Sequence, residues 1–97
     1  MNIDKKQIGS FLTITIDGRL DTNTAPDLEK ELGTLEGIEK LVFDVRGLEY
    51  ISSAGLRLLL SCQKKMNEQG SMTIKNANED IKDIFDITGF SDFLTIE

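Results

Sequence analysis

The chain has 97 residues, with 17 carboxylates against 11 lysines and arginines and a formal net charge of −6. That length suits one domain with a modest core and is too short for two. With no histidine and one cysteine, a Ser-His-Asp triad, an internal disulfide and zinc held by nitrogen and sulfur ligands are excluded, and the acidic balance argues against nucleic acid or an anionic membrane as a direct partner.

Apolar residues make up 39% and charged residues 29%, an ordinary soluble globular composition. No apolar run approaches the roughly 20 residues that span a bilayer. The opening Met-Asn-Ile-Asp-Lys-Lys lacks the apolar core of a signal peptide, so a cytoplasmic location is expected.

In chain order, residues 1–6 read as a short first strand or a loose arm. Gly9-Ser10 suits a hairpin turn. Phe11 to Ile16 alternates, with Leu12, Ile14 and Ile16 on one face and Phe11, Thr13 and Thr15 on the other. The semi-polar second face places this strand near an edge or in an antiparallel pair. Gly18-Arg19-Leu20-Asp21 leads into a loop. Thr24-Ala-Pro-Asp27 then opens a helix in capping-box spacing, with Ala25, Leu28, Leu32 and Leu35 as its inward stripe and Gly33 or Gly37 as its end.

Ile38 to Val45 is apolar and rich in strand formers, which predicts a central strand buried on both faces. Arg46 to Ile51 reads as a turn punctuated by Gly47. Ser52 and Ser53 follow, and a long amphipathic pattern begins directly after them, so one of them caps a helix. At about 100° per residue, Leu58, Leu59, Cys62 and Met66 share the core side. Arg57, Ser61, Lys64 and Glu68 form a solvated stripe. Leu56 and Leu60 fall on a flank with Gln63 and Asn67, either a core border or a partly exposed apolar patch. Gln69-Gly70 stops this helix, and Ser71 to Lys75 forms a short strand. Asn78 caps a further helix with Ile81, Ile84 and Phe85 inward and Gly89 at its end. Phe93 to Ile96 reads as a last short strand.

The resulting class is α/β. Strands separated by helices imply crossovers and a mixed, mostly parallel sheet of four to five strands with three to four helices, and an antiparallel pair near the start.

The chemistry concentrates where Ser53 opens a helix. Its hydroxyl lies near first-turn amides that have no intrahelical acceptor. A phosphate there would gain from those donors and from the helix dipole. The plain alternative is a structural cap at Ser52 or Ser53. Asp21 and Asp44 would form an acidic rim if both lie near Ser53, able to meet a basic partner or to hold a magnesium ion used by a partner kinase. A nucleophilic serine lacks a histidine base, and neither a Gly-x-Ser-x-Gly elbow nor a Walker loop is present. Catalysis and a bound cofactor are not expected.

Three segments carry a resemblance: Gly18-Arg19-Leu20-Asp21, Leu41-Val42-Phe43-Asp44-Val45 and Tyr50-Ile51-Ser52-Ser53-Ala54-Gly55-Leu56. With Phe85-Asp86-Ile87-Thr88-Gly89-Phe90 they make the whole chain, 1–97, resemble a single STAS domain of the bacterial anti-sigma factor antagonist type. The resemblance implies a protein–protein switch. The unphosphorylated antagonist binds an anti-sigma factor, a serine kinase of the GHKL type, and frees a sigma factor. Phosphorylation ends the complex, and a serine phosphatase resets it. The phosphoacceptor position falls on Ser53, with Ser52 as the alternate. The surround falls on Asp21, Asp44, Ser52, Ala54, Gly55, Leu56, Arg57 and Leu60. The family commonly reads Asp-Ser-Ser-Gly or Asp-Ser-Ala-Gly, and here Ser52 stands at the Asp position, polar but uncharged. The alternative is a non-phosphorylated interaction module, a scaffold within a sensory complex.

Overall fold

A computed structural model describes residues 1–97. In chain order it contains β1 (Asn2–Ile8), β2 (Phe11–Leu20), α1 (Ala25–Leu32), β3 (Lys40–Ile51), α2 (Ser53–Gln69), β4 (Ser71–Lys75) and α3 (Glu79–Ile87), followed by a single 3₁₀ turn at Phe90–Asp92. The sheet order is β1-β2-β3-β4. β1 and β2 pair antiparallel across the two-residue Gly9-Ser10 loop. The pairs β2–β3 and β3–β4 are parallel, joined by α1 and α2 as crossovers. Four strands and three α-helices fall within the expected range.

Alternation builds the core. Leu12, Ile14 and Ile16 of β2, Leu41, Phe43 and Val45 of β3, and Met72 and Ile74 of β4 point to one face and are at most 2% exposed. They join one apolar cluster with Leu28 and Leu32 of α1, Leu59 and Met66 of α2, and Ile81 and Phe85 of α3. All three helices therefore cover the same face of the sheet. Val42 points to the other face; it is buried but stands outside that cluster. Its register partners Thr13 and Thr73 flank it in the middle of the sheet. The continuous Leu41-Val42-Phe43 run thus imitates a strand covered on both faces, and that expectation is corrected: neighbouring strands, not helices, shield Val42. The semi-polar face of β2 is the same open face.

The expected turn at Arg46–Ile51 is also corrected. β3 runs on to Ile51 because β2 continues alongside it as far as Leu20. The pairing shifts register between Thr15 and Asp17 and again between Gly18 and Arg19, so β3 carries extra residues against β2, as β-bulges do. Gly47 sits at the first irregularity. A Cβ on it would lie 1.8 Å from Asp17 Oδ1, so the glycine makes room for a side chain rather than ending the strand.

α1 ends at Gly33 as expected, and Leu35 lies beyond the helix yet is 5% exposed. The capping box does not form. The Thr24 hydroxyl instead accepts from the Asp21 amide at 2.8 Å and donates to the Arg19 carbonyl at 2.7 Å, tying down the loop before the helix. Asn78 caps α3 through the Ile81 amide at 2.9 Å and donates to the Leu48 carbonyl. Gly89 follows with φ of 79°, the left-handed residue expected after a helix end. The predicted last strand shrinks to one parallel bridge, Ile74 with Ile96. Gln63, 3% exposed, holds this segment: its Oε1 accepts from the Thr95 amide at 3.1 Å.

Candidate functional site

The two long strands β2 and β3 end side by side, Leu20 against Ile51. Ser52 follows Ile51, and its amide donates to the Leu20 carbonyl at 2.9 Å. Asp21 follows Leu20. The junctions that leave the two strands are thereby pinned together. Ser52 is the N-cap of α2, in extended backbone, and its hydroxyl accepts from the Gly55 amide at 3.5 Å. That is a long, weak bond. Ser53 is the first residue of α2 and is exposed. The amides of Ser53 and Ala54 have no acceptor within the chain, and the first turn carries no acid. The serine pair thus divides its tasks: Ser52 caps, and Ser53 presents a free hydroxyl at the positive end of a 17-residue helix.

Gly55 sets how closely α2 approaches the sheet. A Cβ there would lie 2.8 Å from Ile51 Cγ1, 2.8 Å from Leu20 Cγ and 3.0 Å from the Leu20 carbonyl oxygen. Only glycine lets the helix start so near the two strand ends.

Asp21 is organised by its own loop. Its Oδ1 accepts from the amides of Asn23 at 3.0 Å and Thr24 at 3.1 Å. Arg19 Nε stands 3.7 Å from Oδ2. The Thr24 amide, aided by the Asn23 amide, the Thr24 hydroxyl and Arg19, holds this carboxyl below the usual aspartate range, against a desolvation that opposes it. A lowered folded value means that ionised Asp21 stabilises the loop above the ordinary aspartate range near pH 3.9. That contribution is lost as pH falls through the lower folded value. The stability gap between the natural chain and Asp21→Asn is therefore widest above about pH 4 and closes on further acidification. Urea unfolding at a series of pH values reads it; a gap that stays constant through pH 3 contradicts the assignment.

Not all the expected surround assembles. Asp44 pairs with Thr15 and Lys75 in mid-sheet, and its Oδ1 accepts from Asn76 Nδ2 and the Arg46 amide, both at 3.1 Å. The register steps from Thr15 to Leu20 place it roughly 17 Å along the strands from Ile51. Asp44 orders the β4–α3 connection and does not join an acidic rim at Ser53. No cluster of three or more carboxylates or thiols stands together as a metal site. Leu56 is 4% exposed and belongs to the core, and Gly55 is buried beneath the helix start. Ala54 and Leu60 are half-buried, and Arg57 is exposed. Leu58, expected in the core, is half-buried toward α1. Cys62, 5% exposed, is a core side chain; burial, with Glu29 adding and Lys65 opposing, pushes its thiol up to about 11.

One pair was not foreseen. The Arg19 guanidinium lies 4.2 Å from the centre of the Tyr50 ring, a cation–π stack beside Asp21. Arg19 and Tyr50 are register partners only because of the two β-irregularities, so their meeting left no signal in the spacing.

The STAS domain model matches residues 2–97. The chain belongs to the STAS domain family. The anti-sigma-B factor antagonist of Bacillus subtilis is 32% identical over 98 residues, covering 99% of this STAS domain and 90% of the relative. Among solved structures, the anti-sigma factor antagonist SpoIIAA in its unphosphorylated form superposes with a TM-score of 0.83 at 14% identity, covering 99% of this chain and 88% of the other. The phosphorylated form of SpoIIAA gives 0.77 at 14% identity, with 99% and 91% covered. These two likenesses carry the STAS fold. No helix of this STAS domain is long and apolar enough to cross a membrane.

Proposed function

We propose that this STAS domain is an anti-sigma factor antagonist, a non-catalytic cytoplasmic regulator that binds an anti-sigma factor while Ser53 is unmodified and lets go once Ser53 carries phosphate. The single observation behind the reading is the exposed Ser53 hydroxyl at the first residue of α2, one strand-end away from Asp21. The names of its relatives support the antagonist role. A protein of the same fold, SpoIIAA, exists in phosphorylated and unphosphorylated forms.

The physics of such a switch is local. A phosphate on Ser53 adds about two negative charges and three acceptor oxygens, taking the net charge from −6 to about −8. The unbonded amides of the first turn receive part of that charge, so the fold tolerates it. A partner surface built to meet a hydroxyl beside Asp21 then meets a dianion that must be desolvated. The partner in this reading is a GHKL-type serine kinase, and a serine phosphatase restores the hydroxyl. Ser52, the cap, is half-buried with its oxygen turned toward the Gly55 amide, whereas Ser53 is exposed, which favours Ser53 as acceptor.

One feature favours a second reading: Ser52 stands where the family commonly carries aspartate, so the carboxylate beside the acceptor is missing. A scaffold module that binds without being phosphorylated accounts for that. Isothermal titration against each GHKL-type anti-sigma kinase of the same genome, with and without ATP, tests the reading. Binding that is tight without ATP and lost with ATP is expected. Binding that is indifferent to ATP favours the scaffold, and no binding to any of these kinases overturns the antagonist assignment.

A further inference from the structure

A groove of about 530 Å³ runs between α1 and α2. Its floor is apolar, with Leu32, Leu35 and Cys62 buried and Leu58 half-buried. Its rims are charged. Arg57 and Lys65 line the α2 side and Glu29 the α1 side. All three are exposed, and none has an oppositely charged group within 4 Å; the chain's two ion pairs lie elsewhere. Arg57, Ser61 and Lys65 are spaced by four, so the two cations stand in one row about 12 Å apart along α2. The eight residues of α1 span about the same 12 Å. The groove is therefore two helical turns long.

The geometry points to this groove as the seat of an amphipathic helix of the anti-sigma partner, a helix with an apolar stripe and acidic residues on the flank that meets Arg57 and Lys65. This rests on the antagonist reading above and extends it. An apolar floor takes side chains repeating at three and four residues, as helix-in-groove recognition does. The two free cations select carboxylates, and Glu29 selects a base on the opposite flank. The groove also reaches the switch. Ala54 and Arg57 line it, and Arg57 lies one helical turn after Ser53, on the same side of α2. A phosphate on Ser53 would pair with Arg57 and withdraw it from the partner's carboxylate. Phosphorylation thus acts twice, by adding charge at the helix start and by removing a docking cation.

A second copy is the competing occupant. α3 is itself acidic, with Glu79, Asp80, Asp83 and Asp86, and its Ile87 is 85% exposed. The net charge of −6 opposes self-association, and the partner helix is favoured for that reason.

The test titrates the GHKL-type anti-sigma kinase of the same genome with the natural chain, Arg57→Glu/Lys65→Glu, Glu29→Lys, Ser53→Asp and the control Lys64→Glu, which makes the same kind of charge change outside the groove. Thermal melts check that each variant folds. The double variant is expected to bind at least 30-fold more weakly, Glu29→Lys several-fold more weakly, and Lys64→Glu within about twofold of the natural chain. A folded double variant that binds within threefold of the natural chain, while Ser53→Asp is weakened, overturns the groove and leaves the switch. A natural chain that binds no such kinase overturns both. Sedimentation of the chain alone supplies the last arm: concentration-dependent dimers that the double variant abolishes assign the groove to a second copy and overturn the partner helix.

Discussion

Replacing Gly55 with valine is expected to destabilise the chain by about 2–3 kcal/mol. That lowers the melting temperature by about 10–20 °C for a domain of this size. The atoms that a Cβ would strike are not free to move. Leu20 is fully buried and Ile51 is 3% exposed. The third contact is a backbone oxygen, that of Leu20, and it already accepts from the Ser52 amide. Either α2 lifts from the sheet or the two strand ends part, and both displace Ser53. Alanine at the same place suffers less, because its better helix propensity returns up to about 1 kcal/mol. Thermal melts followed by circular dichroism measure both variants. A valine variant as stable as the natural chain would mean that the helix start is not held against Leu20 and Ile51.

The second large effect is on binding. Ser53→Asp is expected to weaken the anti-sigma partner about 30-fold, close to 2 kcal/mol, while Ser53→Ala leaves it within about twofold. Three contributions act in the same direction. The aspartate adds negative charge at a helix start that the Ser52–Leu20 hydrogen bond pins to the strand end preceding Asp21. It competes for Arg57 at helical spacing. It must also be desolvated when the partner closes over the helix start. Alanine removes only a hydroxyl that makes no hydrogen bond within the chain. Neither change touches the core, so melting temperatures should stay close to that of the natural chain. Equal affinities for the two variants would remove Ser53 as the point of control.

Much of this arrangement was legible in the sequence because several local signals agree. Strand alternation at Leu12, Ile14 and Ile16, the apolar run before the serines and the long amphipathic stretch after them each specify one element. Together they place the helix start at the end of an inner strand. Three features were not legible, and each for a physical reason. Gly47 looked like a turn because glycine punctuates turns and bulges alike, and only the partner strand decides which. Asp44 looked like a neighbour of Ser53 because a sequence does not say how far a strand continues; the extra residues of β3 carry the serines away from it. The Arg19–Tyr50 stack depends on register shifts that no pattern encodes.

The most direct measurement of the central claim is site-resolved mass spectrometry after incubation with the partner kinase and ATP. One phosphate on Ser53, none on Ser52, and no mass gain in Ser53→Ala is the predicted result. A natural chain that binds the kinase yet stays unmodified, or that is modified only at Ser52, would contradict it.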